Sequence, residues 1–254
     1  MQISGMNILV TGGASGMGRN FTLNLAKLGA NVAFCDLGAD GIAAVESEAA
    51  GLPGKVKGFL ANVAKEDDVI ALIRDATAHF GALNGLINNA GIIRDGMLVK
   101  FDKEGNLQKM SLAQWQAVIE VNLTGVFLCT REFAAAALQS GTKPAVVVSI
   151  SSISRHGNMG QGNYSAAKAA IVADTKLWGA ELARYGIRTG AIAPGFTMTP
   201  ILEGMRPDAL EKMVQPVPLK RIGAPDEMFL AVKFIIENDY FTGRCIDVDG
   251  GLVL

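Results

Sequence analysis

Tyr164 and Lys168 stand four residues apart in the segment YSAAK, a spacing that puts both side chains on one helical face about one turn apart. A phenol with an ordinary pKa near 10 is a poor base at neutral pH, and an ammonium beside it favours the phenolate. Upstream, the apolar run AVVVSIS ends at Ser151 and Ser152, whose hydroxyls can hold a substrate oxygen next to that phenol. The helical stretch after Trp115 carries Asn122 in VNLTG. General acid/base work on a substrate oxygen is the chemistry that such a set suits.

A second constellation is TGGASGMG, residues 11–18, directly after the apolar run NILV and directly before a helical stretch beginning at Gly16. Gly12 permits a tight turn there, Gly16 lets the backbone approach a pyrophosphate, and Gly18 lets the helix pack close to the sheet. The helix N-terminus favours the anion. The spacing is G-x-x-x-G-x-G rather than G-x-G-x-x-G. The next apolar run, NVAFC, ends at Asp36, where a carboxylate would accept from both hydroxyls of an adenosine ribose and repel a 2′-phosphate. Ser15 occupies the loop position and Leu37 follows Asp36, so neither brings the cation a 2′-phosphate needs. Arg19, inside the helical stretch, argues the other way. NAD is expected as the cofactor, with NADP the alternative.

Seven runs read as strands: NILVTG, NVAFC, KVKGFL, GLINNA, AVVVSIS, IRTGAIAP and RCIDVDG. They are too apolar to be half exposed, which predicts a parallel sheet covered on both faces. Helical stretches at Gly16–Leu28, Glu66–Phe80, Ser111–Leu138, Tyr164–Tyr185 and Asp226–Asn238 carry apolar residues at spacings of three and four. The alternation predicts a doubly wound, Rossmann-like α/β fold, one domain over residues 1–254, with ligands at the carboxyl ends of the strands. Two segments interrupt the rhythm at that rim. Residues 93–110 read as an insertion with a small hairpin, and residues 196–221, which hold four of the eight prolines, read as a loop that closes over substrate.

Composition narrows the possibilities. The chain has 254 residues, enough to bury about 70–75% of its unfolded surface without metal or disulfide help. Lys plus Arg number 23 against 24 Asp plus Glu, for a net charge of −1, which argues against a nucleic-acid partner. Cys35, Cys129 and Cys245 are too few and too scattered for a disulfide framework, which predicts a reducing, cytoplasmic setting. No run reaches about 18 uninterrupted apolar residues, so no membrane span is expected. His79 and His156 are the only histidines and form no metal-ligand cluster with those cysteines.

Taken in order, the glycine loop, Asn88-Asn89-Ala90-Gly91 after a strand, Asn122, the serine pair, YSAAK, Pro194-Gly195 and the terminal TGRCIDVDGG resemble the classical short-chain dehydrogenase/reductase family, from about Asn7 to Gly251. The resemblance implies roles for particular residues. Gly12, Ser15, Gly16, Met17 and Gly18 would form the pyrophosphate loop, and Asp36 with Leu37 the ribose end. Asn62 and Val63 would lie beside adenine, with Asn62 keeping a side-chain oxygen for the adenine amine. Asn89, Ala90 and Gly91 would wall the adenosine side, and Pro194, Gly195, Thr197 and Thr199 would grip the carboxamide.

The family's catalytic tetrad would be Asn122, Ser152, Tyr164 and Lys168. Matching the strand selects Ser152, whereas counting back from Tyr164 selects Ser151. A strand end is fixed by the sheet, so Ser152 is preferred. Tyr164 would exchange the proton, Lys168 would hold the nicotinamide ribose and lower the phenol's pKa, and Asn122 would anchor a water.

Three functions fit these residues. One is an NAD(H)-dependent oxidoreductase interconverting a secondary alcohol and a ketone. The second is a 3-oxoacyl-thioester reductase, to which NNAGIIRDGML and GQGNYSAAKAA are similar. The third is a non-catalytic nucleotide sensor on the same fold. The resemblance also implies a homotetramer.

Overall fold

All seven apolar runs form strands in the computed structural model, which describes residues 1–199, 202, 204 and 206–254. They are β1 (Asn7–Thr11), β2 (Asn31–Asp36), β3 (Val56–Leu60), β4 (Gly85–Asn88), β7 (Ala145–Ile150), β8 (Ile187–Pro194) and β9 (Arg244–Val248). They pair in parallel in the order β3-β2-β1-β4-β7-β8-β9. Chain order reverses between β1 and β4, so the loops leaving these two strands diverge and open a crevice at their carboxyl ends.

Side-chain alternation along the strands builds two core layers. Ile8, Val10, Val32 and Phe34 point to one face, against Phe21 and Leu25 of α1 (Gly16–Lys27), Val45 of α2 (Ala39–Glu48) and Val232 and Ile235 of α8 (Pro225–Glu237). Leu9, Ala33 and Cys35 point to the other, against Val69 and Leu72 of α3 (Glu66–Phe80) and Phe133 of α5 (Gly125–Ser140). Burial on both sides explains why these runs are continuously apolar.

The stretch expected as one helix over Ser111–Leu138 is interrupted. Ser111 and Gln114 form a reciprocal capping box that starts α4 (Leu112–Ile119). A π turn over Glu120–Thr124 follows, and then α5. At the turn, the buried Asn122 amide donates to the carbonyls of Val118 and Ile92 at 3.0 and 2.9 Å. Back-bonding to the carbonyl four residues earlier competes with the helical ladder and widens it locally. The run Leu112–Ser140 is long and apolar enough to cross a bilayer by length and composition, and half of that window is buried inside the fold.

Helix α6 (Gly162–Leu182) carries Tyr164 and Lys168 in its first two turns. The rim insertion contains the expected hairpin, β5 (Val99–Phe101) paired antiparallel with β6 (Leu107–Lys109). The loop expected over 196–221 includes α7 (Pro207–Val214), while residues 200, 201, 203 and 205 lie outside the described residues. Leu86, on the central strand β4, has no exposed surface. Leu86→Ala is expected to cost about 2–5 kcal/mol, read as a lower urea midpoint; a change below about 0.5 kcal/mol would refute that packing.

Candidate active site

The crevice begins at the glycine loop, where close approach explains the residue types. A Cβ on Gly18 would lie 2.0 Å from the Gly12 carbonyl oxygen, and one on Gly12 would lie 2.9 Å from the Ala90 Cα. Gly12 and Gly16 also take φ of +64° and +51°, in the region that favours glycine. Gly13, which sequence reasoning passed over, is equally constrained, because its Cβ would meet the Phe34 ring. Ser15 is the residue before α1, and its hydroxyl caps no backbone group, while Met17 packs against the core. The first turn of α1 therefore offers N–H groups that no side chain takes up.

Asp36 ends β2 beside this loop. Its carboxylate accepts the Ala14 N–H at 3.0 Å and the Leu37 N–H at 2.7 Å, which braces the loop and leaves further lone pairs for two hydroxyls. Arg19 is paired with Glu48 on α2. Leu37 is exposed, and Val63 is buried against Gly125 at the start of α5. Helix-start N–H groups beside a carboxylate at the neighbouring strand end suit a dinucleotide.

Two side chains of this crevice are also engaged within the fold. The Asn62 side-chain oxygen accepts the Ala64 N–H at 3.0 Å, forming a local turn, so only its second lone pair remains for adenine. The Asn89 amide is used within the fold. That amide donates to the carbonyls of Thr11 and Gly12, both at 3.0 Å, and the Thr11 hydroxyl takes the N–H groups of Asn89 and Ala90. These bonds sew β4 to the glycine loop. The signal in the sequence was Thr11 itself, a hydroxyl at the last position of β1.

On the far side of the crevice, the two serines separate cleanly. Ser151 is buried, and its hydroxyl donates to the Lys168 carbonyl at 2.7 Å. Ser152 accepts the Ser154 N–H at 3.1 Å, and it is the serine whose hydroxyl acts to lower the Tyr164 pKa. Lys168 is buried, donates from Nζ to the Ile150 carbonyl at 2.7 Å and stands 5.4 Å from the centre of the Tyr164 ring. The Asn122 Oδ1 is buried without a partner, close to Gly91 and on the side of Lys168.

Pro194 ends β8. Gly195 passes so close to Asp249 that a Cβ would lie 2.7 Å from its Cα. Thr197 is buried, with its hydroxyl 3.3 Å from the Gly195 carbonyl, and Thr199 is half-buried just beyond. Asn163, unnoticed in the sequence, is wholly buried: its amide donates to the carbonyls of Arg94 and Gln114 at 3.1 Å, and its oxygen takes the Tyr164 N–H at 2.8 Å.

The titration of the pair also differs from expectation. Burial pushes the Tyr164 phenol above its usual value, the Ser152 hydroxyl opposes this, and the Asp95 carboxylate adds to it. Burial brings the Lys168 amine down to about 8. A site this dry penalises both charged forms, and that outweighs any help the ammonium gives the phenolate. Between about 8 and the ordinary lysine value of 10.5, the unfolded chain binds more protons at Lys168 than the fold does, so stability rises with pH there. That rise should shrink in Lys168→Met, as read from urea midpoints at the two ends of the window; identical slopes in both proteins would count against a depressed amine.

The family model described as enoyl-(acyl carrier protein) reductase matches residues 12–253. A 3-oxoacyl-[acyl-carrier-protein] reductase of Thermotoga maritima is 38% identical over 256 residues, covering 100% of both chains. The (3R)-3-hydroxyacyl-CoA dehydrogenase of Canis lupus familiaris is 35% identical and covers 97% of this chain and 95% of its own. A short-chain type dehydrogenase/reductase from Mycobacterium marinum superposes with a TM-score of 0.89 at 30% identity, over 98% of this chain and 96% of its own. With the crevice, the glycine loop and the Ser152–Tyr164–Lys168 cluster on one parallel sheet, these likenesses make the chain a member of the short-chain dehydrogenase/reductase family of oxidoreductases.

Proposed function

We propose that the protein interconverts a 3-hydroxyacyl and a 3-oxoacyl thioester, a secondary alcohol and its ketone, with NAD(H). The observation that carries the chemistry is the Tyr164 phenol set 5.4 Å, ring centre to Nζ, from a buried Lys168, with the Ser152 hydroxyl favouring its ionised form. The thioester is supported by the names of the relatives, which include both a reductase and a dehydrogenase of such acyl groups. Preference for NAD rests on Asp36 at the ribose end and on Arg19, whose charge is already matched by Glu48.

A bound nicotinamide would supply or accept a hydride at the carbon bearing the oxygen and, when oxidised, bring positive charge to the site. Ser152 holds the substrate oxygen. Tyr164 gives that oxygen its phenolic proton in reduction and takes the hydroxyl proton in oxidation. Lys168, bonded to the Ile150 carbonyl, has N–H groups left that would hold the nicotinamide ribose. The unpartnered Asn122 oxygen is a ready acceptor for a water that would pass the proton on, since a buried carbonyl of that kind otherwise carries the cost of a missing bond. Gly12, Gly16 and Gly18 would hold the pyrophosphate at the start of α1. Asn62, Val63, Gly195, Thr197 and Thr199 would line the two ends of the cofactor.

Acetoacetyl-CoA with NADH is the direct test, and turnover only with NADPH, or none with either, would reject the corresponding half of this reading. Tyr164→Phe should reduce turnover by about 10²–10⁴-fold while NADH still binds, as followed by nicotinamide fluorescence. Near-normal rates would remove the tyrosine from the proton step. Asp36→Ala should weaken NADH by about tenfold or more and NADPH far less, because two charge-assisted hydrogen bonds are lost. An unchanged ratio would place the ribose elsewhere.

A further inference from the structure

The three residues after Ser152 each grip a different part of the fold. They begin a single 3-10 turn, Ile153–His156, capped by Ser152 itself, which accepts the Ser154 N–H on its hydroxyl and the Arg155 N–H on its carbonyl, each at 3.1 Å. Ile153 is buried with Val217 and Leu252 and packs against Phe196. The Ser154 hydroxyl donates to the side-chain oxygen of Gln161 at 3.0 Å, in the residue just before α6. Arg155 reaches the other way, to β9.

Ile150 of β7 pairs level with Ile192 of β8, and Ile192 with Ile246 of β9, so the Arg155 side chain spans the width of β8 to meet Asp247. Its guanidinium takes that carboxylate with both prongs of its fork, Nη1 at 2.7 Å from one oxygen and Nη2 at 3.0 Å from the other, and Nη1 also lies 3.3 Å from the Cys245 Sγ. Only 13% of the Arg155 side chain is exposed. A guanidinium so enclosed and doubly engaged is not a free cation awaiting an anionic ligand; it is a strut. The turn is thus braced from the edge strand on one side and from the start of α6 on the other, with Ser152 at its head.

We propose that Arg155 is a positioning residue of the active site: its ion pair with Asp247 braces the turn after β7 against the sheet edge and so fixes where the Ser152 hydroxyl stands. The inference rests on Ser152 and Tyr164 carrying the reaction, and not on which substrate they act upon. Arg155 acts through Ser152 and needs no contact with substrate or cofactor. A turn of four residues is too short to hold its own geometry in water, so its outer anchors decide it. Displacing a positioned group by about 1 Å can cost about 10²-fold in rate.

Removing the ion pair from either end separates position from charge. Arg155→Met takes away a cation and Asp247→Asn an anion, so charge acting through space would move the Tyr164 titration in opposite directions. A displaced Ser152 moves it upward in both, as Ser152→Ala does, because that hydroxyl favours the ionised phenol. Tyrosinate absorbance reads the titration, each protein being compared with its Tyr164→Phe counterpart so that Tyr185 and Tyr240 cancel. Lys168 and Asp95, the charges beside the phenol, are the same throughout. With acetoacetyl-CoA and NADH, kcat should fall about 10–10²-fold in either variant while the KM for NADH stays within about twofold. Neither effect should deepen when Arg155→Met is added to Ser152→Ala. Arg155→Lys, which keeps the charge without the fork, should fall between wild type and Arg155→Met, and it carries the test if the methionine variant melts early. Shifts of opposite sign, an unmoved titration, or a further shift on top of Ser152→Ala would overturn the proposal. A wild-type enzyme inactive on acetoacetyl-CoA would reject the thioester reading alone, and the titration would still decide the role of Arg155.

Discussion

Two reciprocal hydrogen bonds between the end of β7 and the second turn of α6 set the geometry on which the site depends. Lys168 donates from its side chain to the carbonyl of Ile150, and Ser151 donates from its side chain to the carbonyl of Lys168, each at 2.7 Å. Both are buried, and breaking either would leave an unpaired polar group away from water. The sheet fixes Ile150, so this pair fixes the axial position of α6, and one turn earlier it fixes Tyr164. Ser152, the next residue after the one that does the tying, is then the serine left facing the phenol.

The opposite wall follows from a similar constraint. Thr11 closes β1 with a hydroxyl that takes two N–H groups from the segment after β4, while Asn89 returns its amide to two carbonyls of the glycine loop. This exchange occurs where strand order reverses, the place at which a doubly wound sheet would otherwise gape. The crevice therefore has a fixed width, and glycines at 12, 13 and 18 are needed because the two walls come nearer than a Cβ permits.

The frame was legible in the sequence because its cause is periodic. Seven apolar runs, buried on both faces, could hardly be anything but central strands, and they paired as one parallel sheet. The hairpin was legible from DKEGN between two short apolar segments. What escaped was decided by single side chains acting across the fold. The break in the long helix falls at Asn122, whose amide bonds Val118 four positions back and Ile92 thirty positions away, and no local pattern announces it. Nor does the sequence show that the Asn62 oxygen also takes the Ala64 N–H or that the Asn89 amide bonds the carbonyls of Thr11 and Gly12. Ser152 was preferred over Ser151 from the strand end alone; that the Ser151 hydroxyl bonds the Lys168 carbonyl is visible only in the fold.

The direction of the phenol's titration escaped for a different reason. Sequence spacing shows that Tyr164 and Lys168 are neighbours but not how dry their surroundings are, and burial acts on both at once. With the phenol pushed up and the amine brought down, the chain by itself holds the pair towards its neutral forms, and Asp95 at the hairpin root adds to this. A neutral phenol is a proton donor, the state that reduction of a ketone requires. The phenolate that oxidation uses is favoured by positive charge close by, which an oxidised nicotinamide would supply and a reduced one would not. On the proposed reading, the protonation state of Tyr164 is thus matched to the cofactor's redox state by electrostatics alone, with Lys168 as the chain's own contribution and the Ser152 hydroxyl steadying whichever oxygen carries charge.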